Sequence, residues 1–229
     1  MNILVIPDLH CPWHHPHAFD FLRDLARHYS PDEVVCVGDE VDCHRWSSHP
    51  QDPDMPGPGD EIGRARQALK PLYKLFPKVK VCESNHAIRP FRKASEAFLP
   101  AHFLRLWRDI LEAPKGWEWR LRWIVRARFD AHTPPDVVFI HGDGFSGENG
   151  AKKAAQHYRR CVVMGHIHSF AGVNYLWGPY DRIWAMNVGC LIDPEAPAFS
   201  YGKHMARRPT LGAGVIVDGV PQFVPMTEP

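Results

Sequence analysis

Four short apolar runs and one alternating run in this chain stop abruptly at residues that carry chemistry, and that repeated ending restricts the fold more than any other feature. Residues 2–6 (NILVI) stop at Pro7-Asp8, residues 33–37 (EVVCV) at Gly38-Asp39, and residues 78–82 (KVKVC) at Glu83-Ser84-Asn85-His86. Residues 137–140 (VVFI) run into His141, and residues 161–164 (CVVM) into Gly165-His166. Short runs rich in Val and Ile read as strands. Residues 183–188 and 214–218 add two more. Between them, Phe19, Leu22, Leu25 and Ala26 recur at helical spacing, as do Ile62, Ala65, Leu69, Leu72, Tyr73 and Phe76, with Pro71 predicting a kink or break in the second helix. The stretch from His49 to Gly59 carries four prolines and two glycines and is a loop. Strands alternating with helices, and ending in polar clusters, describe an α/β protein whose site lies at one edge of its sheets.

Size and composition narrow the setting. A chain of 229 residues suits a single domain spanning residues 1–229. Lys+Arg 27 against Asp+Glu 26 leaves a net charge of +1, so no whole-molecule field draws it to nucleic acid or to a membrane. The start MNILVIPDLH lacks a basic region and a long apolar stretch, and no run reaches the roughly 18 apolar residues of a membrane span. Neither a signal peptide nor a membrane partner is expected. Six cysteines contain no C-x-x-C, and Cys36, Cys82 and Cys161 sit inside predicted strands. They read as reduced thiols of a cytoplasmic protein.

The neutral total is unevenly distributed. Residues 89–135 hold ten basic and five acidic residues, so the remainder of the chain is acidic. Helical segments around residues 91–99 and 102–111 precede the Trp/Arg-rich stretch GWEWRLRWIVRARF. The segment reads as an insertion or lid within the domain, placed directly after Asn85-His86. Trp107, Trp117, Trp119 and Trp123 with their arginines support two readings. They can stack bases and hold phosphates, or form a small aromatic core with a solvated basic rim.

The strand-end residues themselves are carboxylates, imidazoles and one amide. Such a mixed nitrogen and oxygen set suits Mn, Fe, Zn or Co better than a thiolate site or an all-oxygen calcium site would. There are enough candidates for two ions, because a carboxylate can bridge two cations about 3.5–4 Å apart. A pair of dications neutralises phosphate oxygens and lowers the pKa of a water between them.

The ordered motifs Asp8-Leu9-His10, Gly38-Asp39-Glu40-Val41-Asp42, Ser84-Asn85-His86, His141-Gly142 and Gly165-His166-Ile167-His168 resemble those of the calcineurin-like metallophosphoesterase superfamily, whose compact members include phage-encoded chains. Asn187-Val188-Gly189-Cys190 resembles the strand that often follows. The resemblance implies a four-layer α/β/β/α sandwich of two mixed β-sheets, with the helical and Trp/Arg-rich segment inserted. It also implies two divalent transition metal ions, Mn favoured. Carried over residue by residue, Asp8, His10 and His168 are ligands of one ion, and Asp39 bridges to a second held by Asn85, His141 and His166. His86 becomes the imidazole over the phosphate, and Asp42 orients another group from behind the ligands. Two positions depart from the family pattern. Ser84 stands where glycine is usual, and Ala87 removes a carboxylate that commonly neighbours the catalytic histidine. Asp42 and Asp143 are the candidates to replace it in space. His14, His15, His17, His44 and His49 follow the motifs and are candidates to line the cleft, bordered by the glycine-rich residues 144–150.

The implied activity is phosphate-ester hydrolysis by metal-bound hydroxide, without a covalent intermediate. Phosphodiester substrates, nucleotides or nucleic acid, are favoured because the basic segment flanks the site, which makes Arg120, Arg122 and Arg126 candidate substrate contacts. The alternatives are a phosphomonoesterase, including a protein Ser/Thr phosphatase, and a metal-dependent nucleic-acid-binding protein with weak catalysis.

Overall fold

The computed structural model describes residues 1–48, 54–199 and 207–227; His49 lies outside the described residues, as do the next four of the proline-rich stretch that it opens, and the last two residues of that stretch, Pro58 and Gly59, begin a helix instead of continuing the loop. Eleven strands run β1 (Asn2–Ile6), β2 (Glu33–Cys36), β3 (Lys78–Cys82), β4 (Gly116–Arg120), β5 (Trp123–Arg126), β6 (Asp136–Ile140), β7 (Cys161–Met164), β8 (Ala171–Trp177), β9 (Arg182–Val188), β10 (Gly212–Val217) and β11 (Val220–Pro225). Five helices accompany them: α1 (Ala18–Tyr29), α2 (Pro58–Leu75), α3 (Arg89–Glu96), α4 (Trp107–Ile110) and α5 (Gly150–Tyr158). The strands form two sheets, one in the order β11-β10-β1-β2-β3-β4 and one in the order β5-β6-β7-β9-β8. Both are mixed: β1 to β4 are mutually parallel beside antiparallel β10 and β11, and β6, β7 and β9 are parallel between antiparallel β5 and β8.

The period-two alternation of β1 shows how the layers are built. Leu4 and Ile6 pack with Leu22 and Leu25 of α1 and with Ile62, Leu69 and Leu72 of α2. Ile3 and Val5 point the other way, into a core shared with Phe139, Val163 and Trp184 of the second sheet and Ala151, Ala154 and Ala155 of α5. The order is therefore α1 and α2, first sheet, second sheet, α5, which is the four-layer α/β/β/α sandwich. Each fully buried aliphatic side chain in these cores contributes about 1.5–3 kcal/mol.

Of the kink or break expected at Pro71, the break does not occur, since α2 continues through that residue. Pro71 and Gln67 are both exposed. The carbonyl left without its i+4 donor thus lies on the solvent side, where water can satisfy it.

The 89–135 segment divides into two parts. Its first half carries α3 and α4. Its Trp/Arg-rich half forms β4, which pairs in parallel with β3, and β5, which pairs antiparallel with β6, so it supplies an edge to each sheet. The indoles are tied into this framework. Trp117 Nε1 donates to Phe76 O at 2.8 Å and Trp123 Nε1 to Val81 O at 2.9 Å. Trp107 and Trp119 both donate to Glu40 Oε1, at 2.6 and 3.0 Å. Of the two readings of these tryptophans, the aromatic core is the one the packing supports.

Candidate metal centre

Parallel pairing gathers the motifs. β1, β2 and β3 run side by side in one direction, as do β6 and β7, so their C-terminal ends share an edge in each sheet. The two edges meet closely: His166 N donates to Asp8 Oδ2 at 2.7 Å, and a Cβ at Gly165 would collide with Asp8 Oδ1. Asn187, at the end of β9, braces this approach by donating to Gly165 O at 3.2 Å. Three of the site residues sit on left-handed backbone, His10 (φ 50°), Asp39 (φ 47°) and His166 (φ 67°). Such residues cost on the order of 1–3 kcal/mol each, and they cluster where side-chain direction matters more than stability.

The imidazoles are aimed by the partners of their Nδ1 atoms. His141 Nδ1 lies 3.0 Å from Val37 O, to which it can only donate, so in the neutral ring Nε2 carries the lone pair. His10 Nδ1 is 2.6 Å from Asp42 Oδ1, which likewise turns its Nε2 inward. Around His141 Nε2 stand Asn85 Oδ1 at 2.8 Å, His166 Nδ1 at 3.1 Å and Asp39 Oδ2 at 3.3 Å. Around His10 Nε2 stand His168 Nε2 at 3.2 Å and the same Asp39 Oδ2 at 3.4 Å, and His168 Nε2 is 3.1 Å from Asp8 Oδ2. Lone pairs converging on lone pairs repel unless a cation lies among them. Asp8, His10, Asp39 and His168 form one group of possible ligands, with donor atoms within 4.8 Å of one another; His141, Asp143 and His166 form another. Asp8 Oδ1 is buried without a hydrogen-bond partner. The donor set therefore fits metal ions.

Without metal, protons must serve instead. Burial opposes the charge on His141, but the Asp39 carboxylate beside it overrides that and pushes its pKa up to about 10. Burial, with the charge of His141, holds His166 below its ordinary value. Asp39 and Asp42 are buried, which disfavours ionisation, yet the surrounding imidazoles keep both well below the usual carboxylate range.

His86 stands next to these groups. Its backbone N donates to Asp39 Oδ1 at 3.3 Å, and its Nδ1 is 2.5 Å from Asp42 O and 3.2 Å from Asp42 Oδ1. Asp42 thus lies where Ala87 leaves the imidazole without a neighbouring acid. Burial opposes protonation of His86, and Asp39 and Asp42 outweigh it, raising its pKa. Ser84 has a positive use: its hydroxyl accepts from Asp39 N at 3.0 Å. Gly38 before Asp39 has φ 105°, and a Cβ there would come 2.7 Å from Ser84 Cβ.

Arg89 was not among the sequence candidates for the site. Its Nη2 is 2.9 Å from His86 Nε2 and its Nη1 donates to Asp42 O at 2.9 Å. Its signal in the sequence is its place three residues after His86, one helical turn on. The other predicted contacts scatter. Glu83 N donates to Arg120 O at 2.9 Å, which puts Arg120 and the following Arg122 at the sheet end where the motifs emerge. The Arg120 guanidinium stacks 4.2 Å from the Trp123 ring, and that of Arg122 lies 6.0 Å from Tyr158. Arg126 is opposite Asp136 in the β5-β6 register, at the far end of β6 from His141, and is not brought to the site. Of the described histidines proposed to line the cleft, His44 Nδ1 reaches Asp42 Oδ2 at 3.6 Å, while His14 stacks on Phe19 and His15 meets His17.

The family model for calcineurin-like phosphoesterases matches residues 1–180. No curated protein matches the chain. Among solved structures, YfcE, a phosphoesterase from E. coli, is similar at a TM-score of 0.45 and 14% identity, covering 95% of this chain and 88% of its own. Vps29 from Chaetomium thermophilum aligns at a TM-score of 0.44 and 13% identity, covering 95% of this chain and 84% of its own. Vacuolar protein sorting 29 from Cryptosporidium parvum aligns at 0.41 and 13% identity, covering 96% and 94%.

Proposed function

Because the chain belongs to the calcineurin-like phosphoesterase family, we propose that it hydrolyses phosphate esters at a centre of two divalent transition metal ions, with phosphodiesters of nucleotides or nucleic acid preferred. One observation carries the reading: Asp39 Oδ2 lies between the two imidazole groups, 3.4 Å from His10 Nε2 and 3.3 Å from His141 Nε2. A single carboxylate oxygen so placed is what a ligand shared by two ions requires. Asp8, His10 and His168 would hold one ion, and Asn85, His141 and His166 the other, with manganese favoured for both. Such ions, when bound, neutralise phosphate oxygens and activate water at neutral pH.

The chain's own groups do the rest. His86 faces the same carboxylate, its Nε2 3.7 Å from Asp39 Oδ2, so it borders the space a phosphate would occupy. Arg89 Nη2, a donor only, now points at that Nε2, so the nitrogen can carry a proton to the departing alkoxide only once the guanidinium turns to the phosphate oxygens. Asp42 fixes the ring through Nδ1, so His86 has a defined direction despite Ala87, while the charge of Arg89 at Nε2 opposes its protonation. The diester preference rests on the basic residues after Asn85-His86. A cytoplasmic location agrees with six buried, unpaired cysteines; among the described residues no helix is long and apolar enough to cross a membrane.

The test is to purify the protein with Mn²⁺, measure metal per chain, and assay a chromogenic diester beside the corresponding monoester. Two ions and faster diester turnover are expected. A strong monoester preference would sink the diesterase reading, and bound metal with no turnover of either would leave a binding protein.

A further inference from the structure

A cleft of about 200 Å³ opens beside Asn85, walled by Trp46, Ser47 and Ser48 on one side and by Arg89, Arg92, Lys93 and one carboxylate, Glu96, on the other. Arg89, Arg92 and Lys93 recur at i, i+3 and i+4 on α3, so they share one face of that helix. Like charges so spaced destabilise a helix slightly, and only part of this charge is answered by protein. Lys93 pairs with Glu96 at 2.8 Å and Arg89 is engaged with His86 and Asp42, but Arg92 makes no ion pair among the described residues. The wall therefore carries an excess of cations a short step from the metal centre, with Asn85 common to both.

We propose that this cleft seats the phosphate adjacent to the scissile one in a single nucleic-acid strand, which rests on the phosphoesterase reading for the place of the scissile group. The arginine fork of Arg92 suits phosphate oxygens. The half-buried ring of Trp46 is placed to stack on the intervening base. Stacking on Trp46 needs a base free of its own stack, which a single strand offers and a duplex does not.

Binding of a fluorescent trinucleotide, measured by anisotropy in EDTA across a salt series, reads the cleft without hydrolysis. Each phosphate contact on a single strand contributes about 0.7 to the slope of log affinity against log salt. The Arg92→Ala/Lys93→Ala protein should lose about 0.7 of that slope, the share of the one phosphate the cleft seats, and bind about tenfold more weakly. Unchanged slope and affinity would overturn the proposal. So would an equal loss in Lys152→Ala/Lys153→Ala, two exposed cations on α5 in the outermost layer, since general charge would then explain the binding. Displacement of the trinucleotide by a nucleoside diphosphate at the same concentration as by unlabelled trinucleotide would replace the strand with a free nucleotide. Wild-type turnover of a small diester with Mn²⁺ is measured separately: its absence removes the phosphoesterase reading, while the salt slope still decides the cleft.

Discussion

Asp39 and Glu40 are neighbours in sequence, both buried, and their surroundings are opposite. Asp39 faces imidazole nitrogens whose lone pairs point towards it, whereas Glu40 receives two indole N–H groups from Trp107 and Trp119. The contrast extends to the two regions they belong to. Along the Trp-rich strip the four indole donors of Trp107, Trp117, Trp119 and Trp123 all have acceptors in the framework. At the strand ends acceptors meet acceptors, left-handed residues are tolerated, and Asp8 Oδ1 has no partner. A region whose indole donors all find acceptors in the framework, with Glu40 Oε2 the one oxygen beside them left over, is built as structure. One whose groups require something from outside is built for a ligand.

The sharpest way to break this contrast is Asp39→Asn. Removing a charge shared by both clusters should cost more than the 10–100-fold typical of outer-sphere partners, and should lower metal stoichiometry together with kcat/KM. The metal-free protein should also melt lower at neutral pH, because the Asp39 carboxylate is what holds the charge on His141 there. Retention of both metal and activity would mean that Asp39 is another satisfied carboxylate, and the distinction between the regions would fail.

His86→Ala is expected to follow in size. The metals should stay, and kcat should drop about 10²-fold for poor leaving groups and less for good ones, as the loss of a general acid predicts. An equal loss across leaving groups would reduce His86 to a charge near the phosphate.

What was legible in the sequence follows the same division. The seven strands read from the sequence, β1, β2, β6, β7, β9 and β10 from apolar runs and β3 from its alternation, are all interior to their sheets, while β4, β5, β8 and β11 are the four edges. An edge strand is half exposed, so GWEWR, WIVR, AGVNYLW and VPQFVP show no continuous apolar run to distinguish them. The strand-end motifs were legible because parallel pairing brings together residues that each follow a strand. The roles of Trp107 and Trp119 were not, because their common acceptor is 67 and 79 residues away. Nor could spacing show that Asp42 occupies the side of His86 left bare by Ala87, a relation made only by the fold. The face of α3 bearing Arg89, Arg92 and Lys93 is legible as helical spacing, but only the fold sets it beside Asn85.

Trp117→Ala tests the structural side. Its side chain is 1% exposed and Nε1 is bonded to Phe76 O, so truncation should cost about 3–5 kcal/mol of stability. The protein that remains folded at low temperature should keep its metal content and its turnover per molecule. If activity fell while the melting curve stayed in place, the strip would belong to the site.

The smallest expected effect is the most discriminating, because Glu40→Gln changes the residue beside Asp39 in the same chemical way. Glutamine keeps an oxygen for both indoles, and its NH₂ takes the place of Glu40 Oε2, which has no partner now. A buried charge is exchanged for a buried unsatisfied donor, and the two costs offset to within about 1 kcal/mol. Burial raises the pKa of Glu40, with the two indole bonds only partly opposing it. The folded protein therefore holds this proton at pH values where the unfolded chain has released it. Wild-type stability should fall, relative to the variant, as pH rises from the ordinary glutamate range through the raised folded value, and level off above it. Melting curves of both proteins between about pH 4 and 8 measure that divergence, the window set by the ordinary value and its upward shift. Metal content and turnover of Glu40→Gln should stay within about twofold of wild type, the scale of a few tenths of a kcal/mol. Loss of either would make Glu40 part of the centre, and two adjacent carboxylates with different tasks would become one acidic pair.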